Sequence, residues 1–236
     1  MDINVINEAE SFYDFQKKLD EKIYQIDENA FVDGIINFEK YSANPLKILW
    51  ILKDPNSYEE KQDWRKELKE ISNGNLGAFR NTFENIIYIT YGILNQKKYS
   101  EEFSIDINPE HAKVLEEIAF INVKKTPGGS KIDFKTLENY YLLYKDVILE
   151  QIKIYQPTII INSTGNSLPV LREDIKEIKQ NLSETIYIKT SDLGVDFSVN
   201  KELIVFNTYH PMANRPNRNV YCNDIINNYL LLTQKS

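Results

Sequence analysis

The chain has 236 residues, 42% of them hydrophobic, and a formal charge of −7. That much apolar material supports a packed core and excludes a disordered chain. The acidic balance excludes a globally basic nucleic-acid binder, so any polyanion partner needs a local basic patch.

In chain order, the opening stretch Met1 to Phe15 is acidic and lacks the apolar segment of a signal peptide. Glu8 to Ile26 is predicted as an amphipathic helix with Ser11, Phe12, Phe15, Leu19 and Ile23 on one stripe. Residues 1–45 read as an N-terminal helical extension laid on the core. Leu46 to Leu52 is a continuous apolar run closed by "KDPN", as in a strand buried on both faces of a parallel sheet. A charged surface helix is expected over Glu59 to Ser72, and a second helix from Leu76 to Leu94. Pro109 suits the first residue of a helix over "PEHAKVLEE", where His111 reads as a surface residue. Ile118 to Val123 is the second buried strand, followed by the turn-rich "KKTPGGS".

Phe134 to Tyr155 is a long helix with Leu137, Tyr141, Tyr144, Ile148 and Ile152 on one face, and Pro157 marks its end. "TIIIN" is the third strand, "STGNS" its loop, and Leu168 to Gln180 the next helix. "TIYIKT" suits an edge strand, "ELIVFNTYHP" the fourth core strand, and Arg218 to Leu232 a closing helix. No apolar run approaches the roughly 18 residues of a membrane span. The single cysteine, Cys222, excludes an intrachain disulfide and a Cys-based metal site and fits a reducing cytoplasm.

Helices alternating with apolar strands give an α/β fold: a three-layer α/β/α sandwich with a central, mainly parallel four-stranded sheet, formed by one domain over residues 1–236. Parallel strands bring their C-terminal ends to one edge, where ligands of open α/β sheets bind. The loops "KDPNSYEE", "NVKKTPGG", "NSTGNS" and "TYHPMANRPNR" therefore meet, and Asp54, Asn122, Ser163 and His210 with them.

Each of these residues has a bland and a chemical reading. Asp54 either holds an Asp-Pro turn or caps a helix, or with Asn56 positions a water. Asn122 either satisfies backbone or reads a base edge, since an amide offers donor and acceptor together. Lys53, Lys124, Lys125, Arg215 and Arg218 are either solvated surface or a local basic rim for phosphates. Ser163 opens either an ordinary helix cap or a weak anion site. His210 is either structural or a neutral imidazole that donates to developing negative charge. The chain has no P-loop, no GxGxxG, no HExxH and no GxSxG, so the usual nucleotide, zinc-protease and serine-hydrolase motifs are absent, and no metal or cofactor is expected.

Four of these pieces stand in the order of a known family. "ILKDPN" after the first core strand, "AFIN" closing the second, "YHPMANR" after the fourth, and the aromatic-bearing "NVYCNDIINNYL" beyond it resemble the uracil-DNA glycosylase superfamily over about Leu46 to Leu232, with Met212 in place of the family's serine. The resemblance implies hydrolysis of the N-glycosidic bond of uracil or another deaminated base in DNA, as in base-excision repair. Asp54 would orient water, His210 would hydrogen-bond the base carbonyl, and Asn122 would read the base. Tyr58 and Phe79 are candidates for the stacking aromatic. The competing expectation is a non-catalytic nucleotide- or nucleic-acid-binding protein, or a protein-interaction module, on the same fold.

Overall fold

A computed structural model describes residues 3–129, 132–165, 168–178, 186–188, 191, 195–199, 203–212 and 217–233. Four strands carry the fold: β1 (Ile48–Leu52), β2 (Ala119–Asn122), β3 (Ile159–Asn162) and, later in the chain, β6 (Ile204–Asn207). They pair in parallel in the order β2-β1-β3-β6, with Leu52 level with Asn122 and Asn162 level with Asn207. Two short strands, β4 (Ile186–Ile188) and β5 (Asp196–Val199), add an antiparallel edge beyond β6. The edge strand expected at "TIYIKT" is β4, and β5 is an additional strand.

Side chains on a strand alternate between faces, and here both faces are buried. Ile48, Trp50, Leu52, Phe120, Ile161 and Phe206 point into one apolar cluster, while Leu49, Ile51, Ile121, Val123, Ile160 and Val205 point into another. The first cluster is covered by α3 (Trp64–Ser72), α4 (Arg80–Leu94) and α7 (Arg218–Thr233); the second by α1 (Ile3–Ile26), α5 (Phe134–Tyr155) and α6 (Pro169–Ile178). This is the three-layer sandwich, and it explains why the strands read as unbroken apolar runs.

The N-terminal residues form a layer of the core. Phe12, Leu19 and Ile23 of α1 are buried, as are Ala30, Val32, Ile35 and, in the short helix α2 (Phe38–Ala43), Tyr41. Ile35 bridges to Ala119 beside β2, and Val32 bridges to Asp63. Phe15, assigned to the buried stripe of α1, is instead 41% exposed.

Several boundaries differ from expectation for local reasons. Leu46 belongs to a turn, its N–H bonded to Asn44 Oδ1 at 2.9 Å, so β1 begins at Ile48. α3 begins at Trp64 because the Asp63 carboxylate caps it, accepting from Arg65 N–H. Pro109–Glu117 winds as a 3₁₀ helix, with the proline in its first turn. His111 is half-buried rather than a surface residue: its ring lies 4.0 Å from the Tyr91 ring, and Nδ1 is bonded to Phe103 C=O. No helix among the described residues is long and apolar enough to cross a membrane.

Candidate functional site

Period-two alternation decides what reaches the sheet's C-terminal edge. Leu52 and Asn122 lie level on neighbouring strands and share the α3/α4 face. Beyond Leu52 the chain turns through Asp54–Pro55–Asn56, where Asp54 Oδ1 accepts Asn56 N–H at 2.8 Å. Asn56 sits at φ 49°, a left-handed conformation that asparagine tolerates better than most residues.

A narrow cavity of about 70 Å³ lies at this edge. Asp54, Asn56, Asn122 and His210 give it polar groups, Trp64, Phe79, Phe83 and Phe120 aromatic rings, and Met212 lines it as well. The aromatic wall is built edge-on: Phe79 meets Trp64 at 5.1 Å and 75°, and Phe83 at 6.4 Å and 88°. Sites for drug-sized ligands run to about 300–1,000 Å³, so this cavity suits one small planar group rather than a whole nucleotide.

His210 is held from both sides of its loop. Thr208 N–H donates to Asn162 C=O at 2.9 Å, Tyr221 Oη donates to Tyr209 C=O at 2.9 Å, and Asn85 Nδ2 donates to Pro211 C=O at 2.5 Å. Met212 N–H donates to His210 Nδ1 at 3.2 Å. That bond makes Nδ1 an acceptor and places the ring proton on Nε2. Burial, and then the nearby Lys53 ammonium, push the imidazole down to about 4. At neutral pH the ring is therefore an uncharged Nε2–H donor.

Burial raises Asp54 above the usual carboxylate range; the Asn56 N–H, Lys124 and Lys53 oppose the rise. Asn122 is 3% exposed, and its Oδ1 is buried with no partner among the described residues. Its backbone N–H donates to Asp33 Oδ2 at 2.7 Å. Asp33 is fully buried and also accepts from Gln151 Nε2 at 2.9 Å. A buried polar atom left unpaired costs about 1–3 kcal/mol, so the free Asn122 amide oxygen marks a place where a ligand's donor would be rewarded.

The remaining site candidates are distributed unevenly. Phe79 joins Asp54, Asn56, Asn122 and His210 at the cavity. Tyr58 does not: the Gly128 N–H donates to Ser57 C=O at 2.7 Å, and Tyr58 turns outward over Gly129, 79% exposed. Gly129 accommodates that close approach, since a Cβ there would lie 2.6 Å from the Tyr58 hydroxyl. Ser163 is fully buried and is not part of the cavity wall; its N–H donates to Ile51 C=O at 2.9 Å.

The expected basic rim is largely dismantled. Lys125 falls on the α1/α5 side of the sheet, fully buried, with Nζ 2.8 Å from each Asp33 oxygen, so it reaches no phosphate. Burial pushes its ammonium down against the pull of Asp33. Lys124 is 4% exposed, its Nζ over the Tyr140 ring and directed at Gly129 C=O. Arg218 is pinned to α4 by Glu84 and by Asn85 Oδ1 at 3.0 Å, over the Tyr88 ring. Arg215 lies outside the described residues. Lys53 stays half-buried beside Asp54 and His210.

Several contributors escape sequence reasoning, Phe83 among them. Phe120 carries a usable signal, two residues before Asn122 on one strand and so on one face. Asp33 carries another, an acid inside the apolar "AFVDGII". Trp64 and Asn85 carry none, because their roles depend on how α3 and α4 dock. The chain matches no protein-family model and no curated protein sequence.

Proposed function

We propose that this cleft hydrolyses an N-glycosidic bond, releasing uracil or another deaminated base. The observation that supports it most is the meeting of Asp54, Asn122 and a neutral His210 on one aromatic-walled cavity of single-ring size. In the reaction, a water attacks C1′ of the sugar while the C1′–N bond breaks. The sugar passes through an oxocarbenium-like state, and the base departs with the bonding electron pair. Asp54 orients the water, offsets the sugar's positive charge and takes the water's proton. His210 Nε2–H donates to the base oxygen on which negative charge builds. Asn122 reads the ring edge, and Phe79 packs against its face. The base anion then picks up a proton, leaving a free base and an abasic sugar.

Incubating the protein with single- and double-stranded oligonucleotides bearing uracil, hypoxanthine or xanthine, and cleaving abasic sites with alkali, tests this reading. Strand breaks with the wild type, lost in Asp54→Ala and His210→Ala, are the expected result. No product on any substrate refutes it.

A second reading draws on the dismantled cation rim. With Lys125 paired, Lys124 buried and Arg218 held by Glu84, the expected rim keeps only Lys53 among the described residues to follow a DNA backbone. A non-catalytic binder of a free base or nucleoside on the same cavity would need none.

A further inference from the structure

We propose that Trp64 is a specificity-determining residue of the cleft, its indole N–H donating to a second ring carbonyl so that the pocket prefers rings with two carbonyls over rings bearing an amino group. The inference rests on the reading of the cavity as a base site. Trp64 opens α3, is 4% exposed and lines the cavity with Asn122 and His210. Its Nε1 is buried with no partner among the described residues. The other tryptophan, Trp50, is equally buried, yet its Nε1–H donates to Thr90 Oγ1 at 3.1 Å. The fold thus pairs an indole N–H where the ring only packs, and leaves one unpaired at the cavity.

Two residues that line one cavity therefore each hold an unpaired buried atom, a donor on Trp64 and an acceptor on Asn122. With His210 Nε2–H and the N–H of the Asn122 amide, the residues lining the cavity offer three donors and one acceptor. The complement is a ring with two carbonyl oxygens and one ring N–H, as in a pyrimidine-2,4-dione. Cytosine replaces one carbonyl with an amino group, which would set donor against donor. Leaving both partners unmet is how a polar site rejects the wrong ligand, more strongly than an apolar pocket can. Hypoxanthine, with one carbonyl, satisfies only part of the set.

The test follows the two indole N–H resonances of the ¹⁵N-labelled wild type during titration with uracil, cytosine and 3,4-dihydropyrimidin-2(1H)-one, which keeps both ring N–H groups and lacks the second carbonyl. Trp50→Phe assigns the peaks. Uracil is expected to move the Trp64 resonance downfield and leave that of Trp50 in place. Affinity for the dihydropyrimidinone should fall on the order of tenfold or more, the worth of one buried hydrogen bond to a polar ring, and affinity for cytosine further, since it also lacks the ring N–H. In Trp64→Phe the preference for uracil over the dihydropyrimidinone should shrink. A Trp64 resonance that stays still while Asn122 responds to uracil overturns the proposal, as does an undiminished preference in Trp64→Phe or a lack of uracil binding. Base release is read separately: an indole shift without abasic sites removes the catalytic reading and keeps this one, and abasic sites without an indole shift do the reverse.

Discussion

Lys125→Met separates the architecture from a surface view of the same residue. The wild-type ammonium is fully buried, 2.8 Å from both oxygens of a fully buried Asp33. Removing the cation leaves a carboxylate in the core, and breaking a buried pair from one side costs about 3–5 kcal/mol. Two donors stay on Asp33, from Asn122 N–H and Gln151 Nε2, so the lower end is expected. About 3 kcal/mol is a large share of the roughly 5–15 kcal/mol that holds a folded domain. At this chain length it lowers Tm by roughly 6–12 °C. Urea unfolding should show a lower midpoint at unchanged slope. Asp33→Asn combined with Lys125→Met removes the charge while keeping an oxygen for Asn122 N–H, and should recover most of the loss. A single-variant loss under about 0.5 kcal/mol, the range of exposed substitutions, would refute the buried pair and return Lys125 to the surface.

His210 gives a pH dependence with a definite sign. Its folded pKa of about 4 lies below the unfolded 6.5, so the unfolded chain binds the extra proton. Stability therefore falls as pH drops from 6.5 towards 4, by about 3 kcal/mol at the limit. Subtracting urea unfolding curves of His210→Gln from wild type across that window isolates the slope. Gly34→Ala is expected to destabilise by more than about 2 kcal/mol: Gly34 sits at φ 136°, and a Cβ would overlap Gln16 Oε1 and the Tyr155 hydroxyl. Thermal denaturation checks this, and a wild-type Tm would contradict it.

The layers were legible because the strands are apolar on both faces, and α5 matched its expected limits of Phe134 and Tyr155. Parallel pairing then brought residues as distant as Asp54 and His210 to one cavity. The failures lie at finer scale. Lys124 and Lys125 look alike as adjacent lysines, but alternation sends them to opposite sides of the sheet's end. Lys125 finds Asp33 only because residues 30–36 fold in beside β2. Arg218 read as a phosphate clamp, yet its partners Glu84 and Asn85 are buried on α4, and only the docking of α7 brings them within reach. β5 was hidden because a short antiparallel strand lacks the two-faced apolar run of the parallel strands.

Single-turnover release of free uracil from a uracil-bearing oligonucleotide tests the central claim most directly, comparing wild type with Asp54→Asn and His210→Gln. The cleft's geometry predicts measurable release by the wild type, a fall of about 10²–10⁴ in Asp54→Asn from loss of the base that orients water, and of about 10²–10³ in His210→Gln from loss of the donor to the departing oxygen. No release by the wild type, or release at wild-type rate in both variants, would contradict it.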